Sequence, residues 1–372
     1  MSLDELKEIS TDPQATADAL KFDNVKLAPS SPPTDEQLAE RVVSLYDQNK
    51  ATVTAEDVVL ANGTTGANLL VCAALLSPGD HVVCTYPAYA GLVEVPRGVG
   101  AEVTYTRLYP ENDWELDLED LKSQLKPSTK MIILNNPHNP TGSVLSTSEQ
   151  AEIVKIAYER NIIIFTDEIF RPLFHTEDVP TSMLEHSSYS RVVVTGSLSK
   201  TLGFPGVRIG WAVTRDRKIC DTLLRVRDWT LQDISVIDKI IAMEILSERC
   251  HQQILSKNLG FARDNLEVLR RFVKDNKESV SCSIPAGAAT AFVKFSNPKT
   301  GEAVDDMQFC LKLKQDTGVL LSPGSLCFGA AREGDFKGYV RMHITVPSEK
   351  FKEAIEKLGT FLTSIAFAEL SI

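Results

Sequence analysis

Between positions 57 and 214 short runs of consecutive apolar residues alternate with stretches in which apolar positions recur every three or four residues. The runs at 58–61, 81–85, 103–108, 131–134, 162–166, 192–195 and 211–214 are rich in Val and Ile and predict strands. The stretches at 67–76 and 148–160 have the spacing of helices. Apolar strands that alternate with helices predict a mostly parallel seven-stranded sheet, sandwiched by helices, in an α/β protein. On such sheets ligands bind at the carboxyl ends of the strands.

The flanks read differently. Residues 1–33 are polar, contain several prolines and predict a weakly structured arm. Thr34, with Gln37 three residues on, caps an expected helix whose stripe is Leu38, Val42, Val43, Leu45 and Tyr46. Helical spacing returns from Asp216 to about Asn276 and ends in a long, charged, amphipathic piece suited to linking two domains. Shorter strands at 291–295 and 340–345, with a closing helix at 348–367, predict a smaller α+β domain. The expected division is 1–50 as N-terminal arm and part of the small domain, 51–255 as the large domain, 256–280 as the linking helix and 281–372 as the C-terminal small domain.

Composition narrows the class. A chain of 372 residues is long enough for two domains, and 43% hydrophobic with 24% charged residues is a globular balance. A net charge of −11 without a basic tract argues against a nucleic acid or an anionic membrane as partner. The seven cysteines show no metal-ligand spacing, and no apolar run is long enough to cross a bilayer. The opening Met-Ser-Leu-Asp-Glu-Leu has early acids and no apolar core, so a cytoplasmic protein acting on small molecules is expected.

The expected strand ends carry unusual polar residues. The run Val-Val-Val-Thr-Gly-Ser-Leu-Ser-Lys at 192–200 delivers Lys200 into a turn with glycine, proline and then Arg208. Flanked by Leu198, Leu202 and Phe204, this amine would be desolvated, which favours its neutral, nucleophilic form. Gly63-Thr-Thr-Gly66 opens a helix with free N–H groups and hydroxyls suited to a phosphate. Two Asn-Pro steps, the second beginning at Asn139, restrict the backbone and hold Asn139 rigidly, Asp167 ends a very apolar strand, Tyr89 follows another strand, and Arg341 lies in a strand of the C-terminal part. Taken singly, each has an ordinary alternative: a surface lysine, a plain helix cap, a turn, a capping acid, a core tyrosine, a structural ion pair. Taken together, they supply a Schiff-base lysine, a partner for a ring nitrogen, a phosphate site and a ring stacker. Pyridoxal 5′-phosphate (PLP) needs that set.

From about residue 34 onward the chain resembles the PLP-dependent aminotransferases of fold type I, class I/II. The resemblance is carried by Asn136-Pro-His-Asn-Pro-Thr-Gly142, Asp167-Glu-Ile-Phe170, Ser197-Leu-Ser-Lys200, Gly206-Val-Arg-Ile-Gly210 and Tyr339-Val-Arg341. It implies that Lys200 forms the Schiff base and moves the α-proton, that Asp167 holds the ring nitrogen protonated, and that Asn139 bonds the ring's phenolic oxygen. It further implies that Thr64, Thr65, Ser197 and Arg208 bind the phosphate, that Tyr89 stacks on the ring, and that Arg341 takes the substrate α-carboxylate. Asn139 also borders the substrate. Phe170 stands where the family usually has a tyrosine that donates to the phenolic oxygen, and no tyrosine in 28–33 matches the one the family often lends to a neighbouring subunit's phosphate. The implied enzyme is a homodimer that transfers the α-amino group of an L-amino acid to a 2-oxo acid. Diversion of the same chemistry to elimination, as in carbon–sulfur lyases, or to cyclisation, as in capreomycidine synthase, is the alternative.

Overall fold

A computed structural model describes residues 1–364 apart from 24, 29, 47–52, 187 and 330–333. All seven expected strands form: β1 (Val58–Asn62), β2 (His81–Tyr86), β3 (Glu102–Arg107), β4 (Thr129–Asn135), β5 (Ile163–Asp167), β6 (Val192–Ser197) and β7 (Ile209–Val213). They make one sheet in the order β1-β7-β6-β5-β4-β2-β3, in which β7 runs antiparallel to both neighbours and the other pairs are parallel. The central strands β5 and β6 are buried at every position, as a sheet covered on both faces requires. One face packs on α4 (Gly63–Leu75), α5 (Gly91–Gly98) and α8 (Arg217–Thr230); the other is covered by elements that include α6 (Leu118–Gln124), α7 (Thr147–Arg160) and α9 (Val236–Ile245).

The segment expected to be a loose arm contains two short helices. In α1 (Leu3–Ile9) Ser2 and Glu5 form a capping box, and in α2 (Pro13–Ala19) Asp12 caps the Ala15 N–H. Both are tied down by tertiary contacts: Leu6 is fully buried, and the buried Thr16 hydroxyl donates to Glu244 of α9 at 2.6 Å. Helix α3 (Asp35–Val43) starts at Thr34, with the expected exchange of hydrogen bonds between Thr34 and Gln37 at 2.9 and 3.3 Å. It packs on β1 and α9.

Helix α10 (His251–Asp275) joins the two parts of the molecule. Near its start Asn258 donates to the carbonyl of Thr201 at 2.8 Å; further along, Asn265 donates to Ile344 and Val346 at 3.0 and 2.8 Å. Beyond it lies an antiparallel sheet, β10 (Ser322–Pro323), β11 (Tyr339–His343), β9 (Thr290–Phe295) and β8 (Val280–Ser281), in that order. Helices α11 (Asp306–Thr317), α12 (Gly324–Phe328) and α13 (Ser348–Ser364) complete this smaller α+β unit, whose core is Phe295, Phe309, Val340, Phe351 and Phe361. The expected last turn of the closing helix, beyond 364, lies outside the described residues.

Candidate active site

The carboxyl ends of β4, β5 and β6 and the amino end of α4 open onto one cleft of about 260 Å³ between the two sheets. Its walls include Thr64, Thr65, Tyr89, Asn139, Asp167, Phe170, Lys200, Arg208 and Arg341. Nine of the ten residues picked out in the sequence therefore meet in one place. Ser197 is the tenth, and it lines a neighbouring cavity of about 300 Å³ beneath the Lys200 turn, where its hydroxyl accepts from the Ser199 N–H at 3.2 Å. Ser199 itself borders the main cleft.

Asp167 is the last residue of β5 and only 3% exposed. A carboxylate so placed has lost its water, a cost of several kcal/mol unless partners compensate. Asn68 donates to one carboxylate oxygen at 3.0 Å and the Ile169 N–H to the other at 3.0 Å. Burial dominates and pushes the Asp167 carboxyl up to about 6, against the pull of these two bonds and of Lys200. Asn68 is itself held by Thr195 of β6, whose hydroxyl donates at 2.8 Å. Sequence reading passed over Asn68, although it stands in the apolar part of α4 beyond the two threonines, one turn after Thr64 and hence on the same face.

Lys200 follows β6 in a turn fixed from three sides. Leu198 donates to Ile209 at 3.2 Å, Phe204 donates to Leu198 at 3.0 Å, and the Thr201 hydroxyl donates to Ile169 at 3.1 Å. Gly203 supplies a φ of +78, a conformation that costs a residue with a Cβ about 1 kcal/mol or more. Partial burial in the cleft and then the Arg341 guanidinium lower the Lys200 amine below its ordinary range, and Asp167 pulls it back. The result is a shift toward the neutral nucleophile.

At the other end of the cleft α4 begins at Gly63, with a φ of +68. Its first N–H groups lack helical acceptors and carry about half a positive charge between them. The Thr64 hydroxyl is buried without a partner, and Arg208, in the left-handed conformation at φ 54, brings its guanidinium against Gly63. A Cβ on Gly210 would fall 2.3 Å from the Gly63 carbonyl carbon, so the close approach of β7 to this helix start requires glycine. Unpaired donors, a helix start and a guanidinium form a cradle for a phosphate.

Asn135, at the end of β4, donates to the Asp167 carbonyl at 2.8 Å and accepts from the Asn139 N–H at 2.8 Å, which locks Asn139 over the strand ends. The Asn139 side-chain oxygen accepts from Arg341 at 3.2 Å, and Arg341 also donates to Ser322 at 3.3 Å and lies over the Phe328 ring. Phe170 is 3% exposed and packs with Leu173, Ala288 and Ala289. Besides Asn68 and Asn135, the sequence reading did not pick out Ser199, Pro205 and His343, which also line the cleft. Among the described residues there is no cluster of acids, histidines or cysteines able to hold a metal. The donor set fits PLP: a cradle for its phosphate, a buried carboxyl for its ring nitrogen and a desolvated amine for its aldehyde.

The comparisons with known proteins agree with this chemistry. At 27% identity the chain is similar to mouse tyrosine aminotransferase, covering 87% of this chain and 70% of that one. At 29% it is similar to capreomycidine synthase of Streptomyces vinaceus, covering 82% and 75%. Its fold matches the crystal structure of a PLP-dependent aminotransferase from Streptococcus suis with a TM-score of 0.82 and 35% identity, over 98% of this chain and 90% of that one. The family model for aminotransferase class I and II matches residues 5–358. With the cleft, the cradle and this match over nearly its whole length, the chain belongs to the class I and II aminotransferases, enzymes that work with PLP.

Proposed function

We propose that this enzyme moves the α-amino group of an L-amino acid to a 2-oxo acid, with Lys200 and Asp167 as its catalytic residues. The observation that carries the reading is the convergence on one cleft of a partly desolvated Lys200, a buried Asp167 and a two-part anion site made by the start of α4 and Arg341. When bound, PLP supplies an electron-withdrawing ring that stabilises the charge left at the substrate α-carbon. Lys200 Nζ would hold the cofactor through its aldehyde and would carry the substrate α-proton. Asp167 keeps the ring nitrogen protonated, and Asn68 fixes the carboxyl that does so. Thr64, Thr65, Arg208 and Ser197 hold the phosphate, Ser197 through the turn that carries Ser199. Tyr89 stacks on the ring, Asn139 bonds its phenolic oxygen, Phe170 gives that side of the pocket an apolar wall, and Arg341 takes the substrate carboxylate as a planar fork.

The reading extends to a cytoplasmic homodimer and to a division into an N-terminal segment 1–50, a large domain 51–255, a linker 256–280 and a small domain 281–372. The two sheets and the bridging α10 support the division. Among the described residues no helix is long and apolar enough to cross a membrane.

A second reading, elimination or cyclisation, draws on Phe170, which cannot donate a hydrogen bond to the phenolic oxygen, and on the similarity to capreomycidine synthase. One experiment decides between them. The PLP-loaded enzyme is given single L-amino acids without any 2-oxo acid while its absorption is followed. Conversion of the cofactor to its amine form, reversed by a 2-oxo acid, is the expected result; release of ammonia, thiol or a cyclised product without that conversion would establish the second reading.

A further inference from the structure

Along β11, Arg341 and His343 alternate with Met342, so their side chains leave the same face of the sheet. Both line the cleft with Lys200. Arg341 donates through its two terminal nitrogens to Asn139 and Ser322, while its Nε is buried without a partner. Among the described residues the His343 ring, which is exposed to the cleft, meets no hydrogen-bond partner on either nitrogen. An imidazole and a guanidinium with unused donors thus stand together beside an amine, an arrangement that lacks an anion.

The charges around His343 come from several elements. Arg341 shares its strand, Lys200 reaches in from the turn after β6, and Asp167, Arg208 and Tyr89 lie on the same cleft. Lys350, Glu353 and Lys357 of α13 border the groove into which the cleft continues past His343. The cleft walls shield the ring from part of the bulk water, and this desolvation, then Arg341 and Lys200, hold the imidazole down at about 4, so it is neutral near pH 7. A carboxylate entering beside Arg341 offsets the guanidinium charge and returns basicity to the ring.

We propose that His343 is a second recognition group for the substrate carboxylate, donating a hydrogen bond beside Arg341 and taking a proton from solvent as the carboxylate enters. The inference rests on the reading that Arg341 receives that carboxylate. The proton returns to solvent when the product leaves, so no redox partner or co-reactant is involved. Because the bound state holds more protons than the free state, affinity rises as pH falls from neutrality, until the ligand's own carboxylate takes up protons near the ordinary carboxyl range of about 4.

The test uses the PLP-loaded enzyme and hydrocinnamate, a carboxylate without an amino group to react. Calorimetric titration at a pH of about 5.5, in two buffers of different ionisation enthalpy, counts the protons taken up on binding. The wild type is expected to take up a fraction of a proton. His343→Leu should take up none and bind about tenfold more weakly, the worth of one charge-assisted hydrogen bond. His343→Asn, which can still donate, should regain part of the affinity without the proton. Unchanged affinity and proton uptake in His343→Leu would overturn the proposal. Arg341→Gln run alongside separates the two claims. If it loses binding while His343→Leu keeps it, the role of His343 falls alone; if it binds like the wild type, the Arg341 reading falls, and this proposal with it.

Discussion

Asp167 shows how one residue can be set against stability by its function. Its carboxyl is raised to about 6 by burial, above the ordinary value of 3.8. Between those values the folded state binds more protons than the unfolded one, so this group's contribution to stability is fullest at low pH and is lost as pH rises through about 6. In the cofactor-free protein Asp167→Asn should therefore flatten the fall of stability with pH across that window, as read by urea unfolding at a series of pH values; an unchanged slope would contradict the assignment. A second residue-scale prediction concerns Phe170. A donor to a phenolic oxygen favours its ionised form by about 1.5–3 kcal/mol. Phe170→Tyr should thus move the pH at which the loaded enzyme's visible absorption changes downward by about one to two units, and a spectrophotometric pH titration checks this. Lys200, Asp167, Asn139 and Arg341 were legible because, although each alone has an ordinary structural use, together they supply the set of groups that one cofactor needs. Asn68 and His343 were not, because what surrounds them comes from other elements: Asp167 and Thr195 bond Asn68, and Lys200 reaches the cleft beside His343 from the turn after β6.

Among the elements, α4 and β7 decide the phosphate end. The helix starts where it does because Gly63 takes a positive φ, and β7 can pass its first turn because Gly210 has no side chain. Gly210→Ala should push the two apart and weaken PLP binding at least about tenfold, roughly 1.4 kcal/mol, with the sheet intact; equilibrium dialysis against PLP gives the number, and retained affinity would show that the cradle tolerates displacement. The strands and α3 were readable from periodicity and from the Thr34–Gln37 box, because those signals are local. The short helices α1 and α2 were not. Seven residues each, they are below the length at which a helix stands alone in water, and they owe their order to contacts such as Leu6 in the core and Thr16 on Glu244.

For the molecule as a whole, the relation of the two sheets matters most, since the cleft lies between them. One tie is the pairing of Arg107, at the end of β3, with Asp335 in the segment before β11 at 3.1 Å, where the Tyr86 hydroxyl also donates to Asp335 at 3.0 Å. The side chains are only 23% and 17% exposed, and Phe336 packs among Tyr86, Trp114 and Phe292. Asp335→Ala leaves a partly desolvated guanidinium unpaired, which should cost about 1–3 kcal/mol; chemical denaturation measures it, and a loss below a few tenths would mark the pair as a solvated surface contact. The sequence by itself determined the sheet, its seven strands, the smaller α+β unit and the residues at the strand ends, because alternation, β-branched runs and turn residues act over a few positions. Only the tertiary structure decided that Asn68 holds Asp167, that Ser197 lies behind the cleft and Ser199 borders it, and that His343 stands unpaired on the same cleft as Lys200 and Arg341. Each of those depends on side chains from separate elements meeting across the cleft, and neither spacing nor composition carries that distance.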